Sequence, residues 1–124
     1  MPMGALQHVN IRCADARRSR DFYADVMGLT EGDRPPFAST GFWLYFGGVP
    51  IVHLVQKVDG EPRRGPGTGE IDHVAFEGSD LPAMRETLTR HGVPFREALV
   101  PRDQVVQVFI HDPDGVQIEL NFPA

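Results

Sequence analysis

The chain has 124 residues, a net charge of −5 and a composition of 41% hydrophobic, 23% charged and 9% aromatic residues. That length suits one domain, able to bury roughly two-thirds of its unfolded surface around an apolar core. The mild acidity argues against a nucleic-acid partner, which demands a basic face. No apolar run nears the roughly 20 residues of a membrane span, and no signal-peptide pattern opens the chain, so the expected location is cytoplasmic.

In chain order, residues 6–12 alternate apolar and polar and read as a strand. Cys13, the single cysteine, has no internal disulfide partner and is expected to pack as a small apolar residue at that strand's end. A helix follows over 16–27, capped by Asp15, with Ser19, Phe22, Tyr23, Val26 and Met27 on one face and Gly28 as the stop. Arg17-Arg18 on it, like Arg63-Arg64 further on, read as solvated surface. Residues 30–41 carry Pro35-Pro36 and read largely as loop. Strands over 42–46 and 50–56 flank a Gly47-Gly48 turn. Residues 60–69 have the Gly/Pro composition of a linker.

The second half repeats the first. Residues 71–77 read as a strand, and 81–91 as a helix with Asp80 as cap, Pro82 in the first turn and Gly92 as the stop. Strands are expected over 93–100, 105–111 and 116–122, the last two joined by the turn Asp112-Pro113-Asp114-Gly115. The fold class is therefore α+β: two tandem βαβββ repeats, expected to form a curved, cup-like mixed sheet with helices outside. The organisation reads as a single domain over 1–124, with repeat one at 5–58, a linker at 59–69 and repeat two at 70–122.

The repeat aligns chemistry as well as structure. Leu6-Gln7-His8-Val9 matches Ile71-Asp72-His73-Val74, and Val52-His53-Leu54 matches Ile118-Glu119-Leu120. His8 and His53 lie 45 residues apart, and His73 and Glu119 lie 46 apart. A lone strand histidine is more often a packed, hydrogen-bonded residue than a ligand. Four donors at repeat-equivalent positions favour a divalent metal, since imidazole and carboxylate suit Zn, Ni, Fe, Mn or Co. Two His and one Glu would already make a facial triad. His91 and His111 fall outside the pattern and read as a helix-end residue and a turn-flanking residue.

Strand alternation places Asn10 and Arg12 on the face of His8, Glu77 on that of His73, and Gln117 and Asn121 on that of Glu119. Asn10, Arg12 and Gln117 are candidate substrate contacts. The plainer alternative for Arg12 is an ion pair, with Glu77, or exposure at a strand end. Trp43, Tyr45, Phe46 and Phe109 could line an apolar pocket, though plain core packing is the commoner role for any one of them.

The motifs Leu6-x-His8-Val9, Ser19-x-x-Phe22-Tyr23, Val26-x-Gly28-Leu29, Ile71-x-His73-Val74-Ala75-Phe76 and His111-Asp112-Pro113-Asp114-Gly115-x-x-Ile118-Glu119 resemble those of the vicinal oxygen chelate superfamily. That family includes glyoxalase I, extradiol dioxygenases, fosfomycin-resistance transferases and bleomycin-resistance proteins. The resemblance implies one divalent metal held by His8, His53, His73 and Glu119. The dioxygenases and fosfomycin transferases use the set matching His8, His73 and Glu119. Arg12 matches a glutathione-contacting arginine of glyoxalase I, whereas His53 stands where that enzyme has a carboxylate. The resemblance also implies a homodimer and a small-molecule substrate. The expected function is metal-dependent isomerase, epimerase or lyase chemistry on vicinal oxygens, with Glu119 as catalytic base. The alternatives are Fe(II)-dependent ring-diol cleavage and non-catalytic binding of an antibiotic or metabolite.

Overall fold

The computed structural model describes residues 2–62 and 67–124; Arg63-Arg64 and the middle of the expected linker lie outside them. The chain divides into two compact units, Met1–Glu61 and Pro62–Ala124. The first contains β1 (Val9–Cys13), α1 (Ala16–Asp21), β2 (Thr30–Gly32), β3 (Gly41–Phe46) and β4 (Val49–Gln56). The second contains β5 (Val74–Glu77), α2 (Leu81–Arg90), β6 (Arg96–Val100), β7 (Val105–His111) and β8 (Gln117–Pro123). The sheet orders are β1-β4-β3-β2 and β5-β8-β7-β6. In each, the first strand runs parallel to the last and the remaining pairs are antiparallel. Each unit is thus βαβββ with a mixed four-stranded sheet.

Local chemistry explains the elements. Asp15 caps α1 by accepting from the Arg18 N–H. Beyond Asp21 the helix widens into a π-helical stretch, Phe22–Val26, with Met27 N–H on the Phe22 carbonyl at 3.2 Å. Leu29 N–H then closes on the Tyr23 carbonyl at 3.0 Å, around Gly28 at φ +77°. The apolar spacing predicts one continuous helix here, because a widened turn leaves Tyr23 and Val26 on the buried side. Asp80 caps α2 from the left-handed region, φ 62°, which a short acidic side chain tolerates.

The stretch expected as loop gains one short strand, β2. Tyr45 explains its position. The Tyr45 ring lies against Gly32, where a Cβ would come within 2.7 Å of it, and its hydroxyl donates to the Asp33 carbonyl. β1 and β5 each begin one residue after their histidine, so His8 and His73 stand immediately before their strands.

Ile11, Cys13, Tyr23, Leu44, Val52 and Leu54 are buried in the first unit, and Leu88, Val108, Ile110, Ile118, Leu120 and Phe122 in the second. The lone cysteine therefore packs as the sequence suggests. The two units join the first strand to its helix differently. In the first, Cys13 pairs with Gln56, whose amide accepts from Ala16 N–H at 2.8 Å and donates to the Ala14 carbonyl at 2.7 Å. In the second, Phe122 occupies the equivalent place, and Gly78 makes room for it: a Cβ there would sit 2.4 Å from the ring.

Candidate metal centre

The strand registers bring the candidate residues into rows across each sheet. In the first unit Asn10 pairs with His53, and His53 with Trp43. In the second, Ala75 pairs with Glu119, and Glu119 with Phe109. Paired residues share a face, so each row lies opposite the side buried by Leu54 and Leu44 or by Leu120 and Val108.

His8 and His53 come together with ring centroids 3.8 Å apart, and Trp43 stacks on the other side of His53 at 4.0 Å. His53 is only 8% exposed. Its Nε2 lies 3.1 Å from the Pro50 carbonyl and donates to it in the neutral form, which leaves Nδ1 as the lone-pair nitrogen. Burial first, and the neighbouring His8 second, hold the His53 pKa below its ordinary value, so the ring favours the neutral state a ligand needs. The stack has a geometric consequence. Two ligands of one metal each aim a lone pair at one point, whereas parallel stacked rings aim theirs side by side. His53 must rotate out of the stack to join His8 on one ion.

In the second unit His73 Nε2 lies 3.4 Å from Glu119 Oε1. His73 Nδ1 is 2.9 Å from Asp72 Oδ2, which raises its pKa above the ordinary value, the hydrogen bond being the largest cause. Asn121 Nδ2 donates to Glu119 Oε2 at 2.9 Å, so one carboxylate oxygen is held and the other faces the imidazole. Gln117 also donates to Asp72, at 3.2 Å. His8 Nδ1 is likewise 3.0 Å from Gln7 Oε1. In both repeats the side chain before the histidine therefore engages Nδ1 and leaves Nε2 as the other ring nitrogen for a further partner. Metal-bound imidazoles are usually held in the same way, by an acceptor on the nitrogen away from the ion.

The residues present suit a divalent ion on three counts. The donors are imidazole and carboxylate, His8 and His73 are each held by a neighbouring acceptor, and the buried Oδ1 of Asn121 has no partner among the described residues. Among the described residues no group of three or more His, Cys, Asp or Glu stands close enough together to hold a metal; the close neighbours are pairs, His8 with His53 and His73 with Glu119.

The other predicted residues have these positions. Asn10 is exposed in the His53 row. Trp43 is half-buried on His53, with Phe37 tilted against it. Tyr45 is engaged with β2, as described. Gln117 reaches Asp72. Arg12 pairs bidentately with Glu61, at 2.7 and 2.6 Å, so its ion-pair partner is Glu61 and not Glu77. The Arg12 guanidinium holds the Glu61 pKa down to about 2. A carboxylate with a depressed pKa stabilises the fold above its unfolded value, near 4.5, and loses that contribution as pH falls towards 2. In urea titrations, Glu61→Gln should lower stability by a constant amount above about pH 5, with the difference closing near pH 2. A pH-independent difference would show that the charge plays no part.

Sequence reasoning missed four residues: Glu61, the Nδ1 acceptors Gln7 and Asp72, and Arg96, whose guanidinium lies 4.0 Å over the Phe109 ring in the Glu119 row. Gln7 and Asp72 left a signal, since both precede repeat-equivalent histidines and both carry an acceptor.

Two βαβββ units, each with a mixed four-stranded sheet, are the architecture of glyoxalase-like proteins. The chain belongs to the Glyoxalase/Bleomycin resistance protein/Dioxygenase superfamily, whose sequence model matches residues 5–120. It is 31% identical over 121 residues to "Glyoxylase I 4" of Arabidopsis thaliana, covering 94% of this chain and 69% of that protein. Two solved structures share the fold. One is a mutant fosfomycin resistance protein from Listeria monocytogenes, complexed with Mn(II) and dihydroxypropylphosphonic acid. It has a TM-score of 0.75 and 15% identity, over 98% of this chain and 94% of that one. The other is an antibiotic binding protein from a Streptomyces species, with a TM-score of 0.71 and 24% identity, over 100% and 99%. Among the described residues, no helix is long and apolar enough to cross a membrane.

Proposed function

We propose that this chain is a metal-dependent enzyme acting on a small substrate through two vicinal oxygens, by isomerase, epimerase or lyase chemistry. The observation that carries the reading is the His73–Glu119 pair, with Asp72 behind the imidazole and Asn121 behind the carboxylate. The ion, Zn, Ni, Fe, Mn or Co, would be held by His8, His73 and Glu119, with His53 as fourth donor once unstacked. When bound, it supplies Lewis acidity that stabilises negative charge on the chelated oxygens. Glu119 would act as the base on leaving the metal during turnover: Asn121 donates to one oxygen, and the other, which faces His73, would then accept a proton from the carbon beside the chelated group. Asn10 and Trp43, in the His53 row, and Gln117, beside Asp72, contact the substrate. Arg12 joins them if the substrate displaces Glu61. The related glyoxalase and the Mn(II)-bound structural neighbour support this reading.

The stacked position of His53 favours a second reading, in which only His8, His73 and Glu119 bind. That three-donor set suits Fe(II) and ring-diol cleavage. One experiment separates the two. The reconstituted protein is incubated in heavy water with small α-hydroxycarbonyl compounds, and with catechols in an oxygen electrode. Deuterium uptake next to the carbonyl without oxygen consumption is expected. Oxygen consumption with catechols would favour the second reading. Tight binding with neither would leave a sequestering protein. His53→Ala is read alongside: metal affinity lowered about tenfold or more makes His53 a ligand, and unchanged affinity leaves the triad. A homodimer belongs to the same reading; a light-scattering mass of one 13.8 kDa chain would remove it.

A further inference from the structure

We infer that Arg96 is a specificity residue that reads a carboxylate on the substrate, so that the ligand carries a chelating group at one end and an anionic group at the other. This rests on the proposed function for the chelating end. Three side chains share one row of the second sheet: Arg96 on β6, Phe109 on β7 and Glu119 on β8. Neighbouring strands stand about 4.8 Å apart, which puts the Arg96 and Glu119 backbones roughly 10 Å from each other. Phe109 lies between them, and the Arg96 guanidinium sits 4.0 Å above its ring. That contact occupies one flat face of the guanidinium and fixes its plane. The N–H edges stay open. Arg96 donates to no acceptor among the described residues, and the adjacent carboxylate, Glu97, is taken by Arg85 at 2.7 Å. A planar carboxylate approaching in the guanidinium plane would find two parallel donors.

The repeat sharpens the point. The first unit's equivalent row runs from His53 through Trp43 to Gly32, which has no side chain. The charge is therefore an addition of the second unit, not a by-product of the duplicated fold. Phe109 offers an apolar floor for the body of a ligand reaching from Glu119 to Arg96. A small aromatic or extended carbon frame fits that span.

The test uses Zn(II)-reconstituted protein, because zinc does not support oxygen chemistry. Two probes are titrated by calorimetry: homoprotocatechuate, a catechol with a carboxymethyl arm, and methylcatechol, which lacks the charge. The native protein is expected to bind the first about tenfold more tightly, an advantage that shrinks with added salt. Arg96→Gln should abolish the advantage while leaving methylcatechol binding and the melting temperature unchanged. Arg96→Lys should restore only part of it. Equal preference in Arg96→Gln, or no preference in the native protein, overturns the proposal. Failure to take up zinc overturns the metal reading instead. Arg96 is then judged on metal-free protein, where a native affinity for homoprotocatechuate no greater than that of Arg96→Gln counts against it.

Discussion

Glu119→Ala is expected to lower metal affinity about a hundredfold or more and to abolish turnover while the protein stays folded. Glu119 is the only carboxylate among the candidate ligands, so its loss removes the one donor that offsets the ion's charge. It also removes the proposed base. Its side chain is 12% exposed and sits on the face away from the apolar core, so no cavity follows. His73→Ala should weaken binding to a similar degree. Asp72→Asn should cost less, about tenfold, because it changes only the acceptor on Nδ1. Competition with a chromogenic chelator measures all three. Equal affinity in Glu119→Ala and the native protein would remove Glu119 from the ligand set.

Phe122→Ala should be the most damaging core change, destabilising the protein by about 3–5 kcal/mol in urea denaturation. Phe122 is 1% exposed, and its ring fills the space that Gly78 leaves open. The void cannot collapse readily, because the residue opposite has no side chain to move into it. Filling it from the other side, with Gly78→Ala in the native background, should also destabilise, since a Cβ meets the ring at 2.4 Å. Combining Gly78→Ala with Phe122→Ala should recover part of the loss, because the added methyl no longer meets a ring. Strictly additive losses would show that the two residues do not compete for one space.

The repeat was legible because each unit spells its strands and helix with the same punctuation. Asp15 and Asp80 start the helices, and Gly28 and Gly92 end them. β2 was not legible: Thr30–Gly32 is a three-residue edge strand with no apolar alternation, positioned by the Tyr45 ring. The π-helical stretch left no trace either, since its buried residues keep a helical spacing. At the site, repeat equivalence picked out two pairs that do meet, His8 with His53 and His73 with Glu119. The stacking of His53 between His8 and Trp43 depends on strand register, which composition does not carry. Arg12 found its partner 49 residues away in a segment without pattern. Arg96 could not be placed in the Glu119 row until β6 was known to begin there.

Elemental analysis of protein purified without a histidine tag tests the central claim most directly. About one equivalent of a divalent metal per chain is expected, either as purified or after incubation with Zn, Ni, Fe, Mn or Co. Glu119→Ala and His73→Ala should hold far less. Less than about 0.2 equivalents in the native protein, unrestored by any of these ions, would contradict a metal centre built on His8, His73 and Glu119.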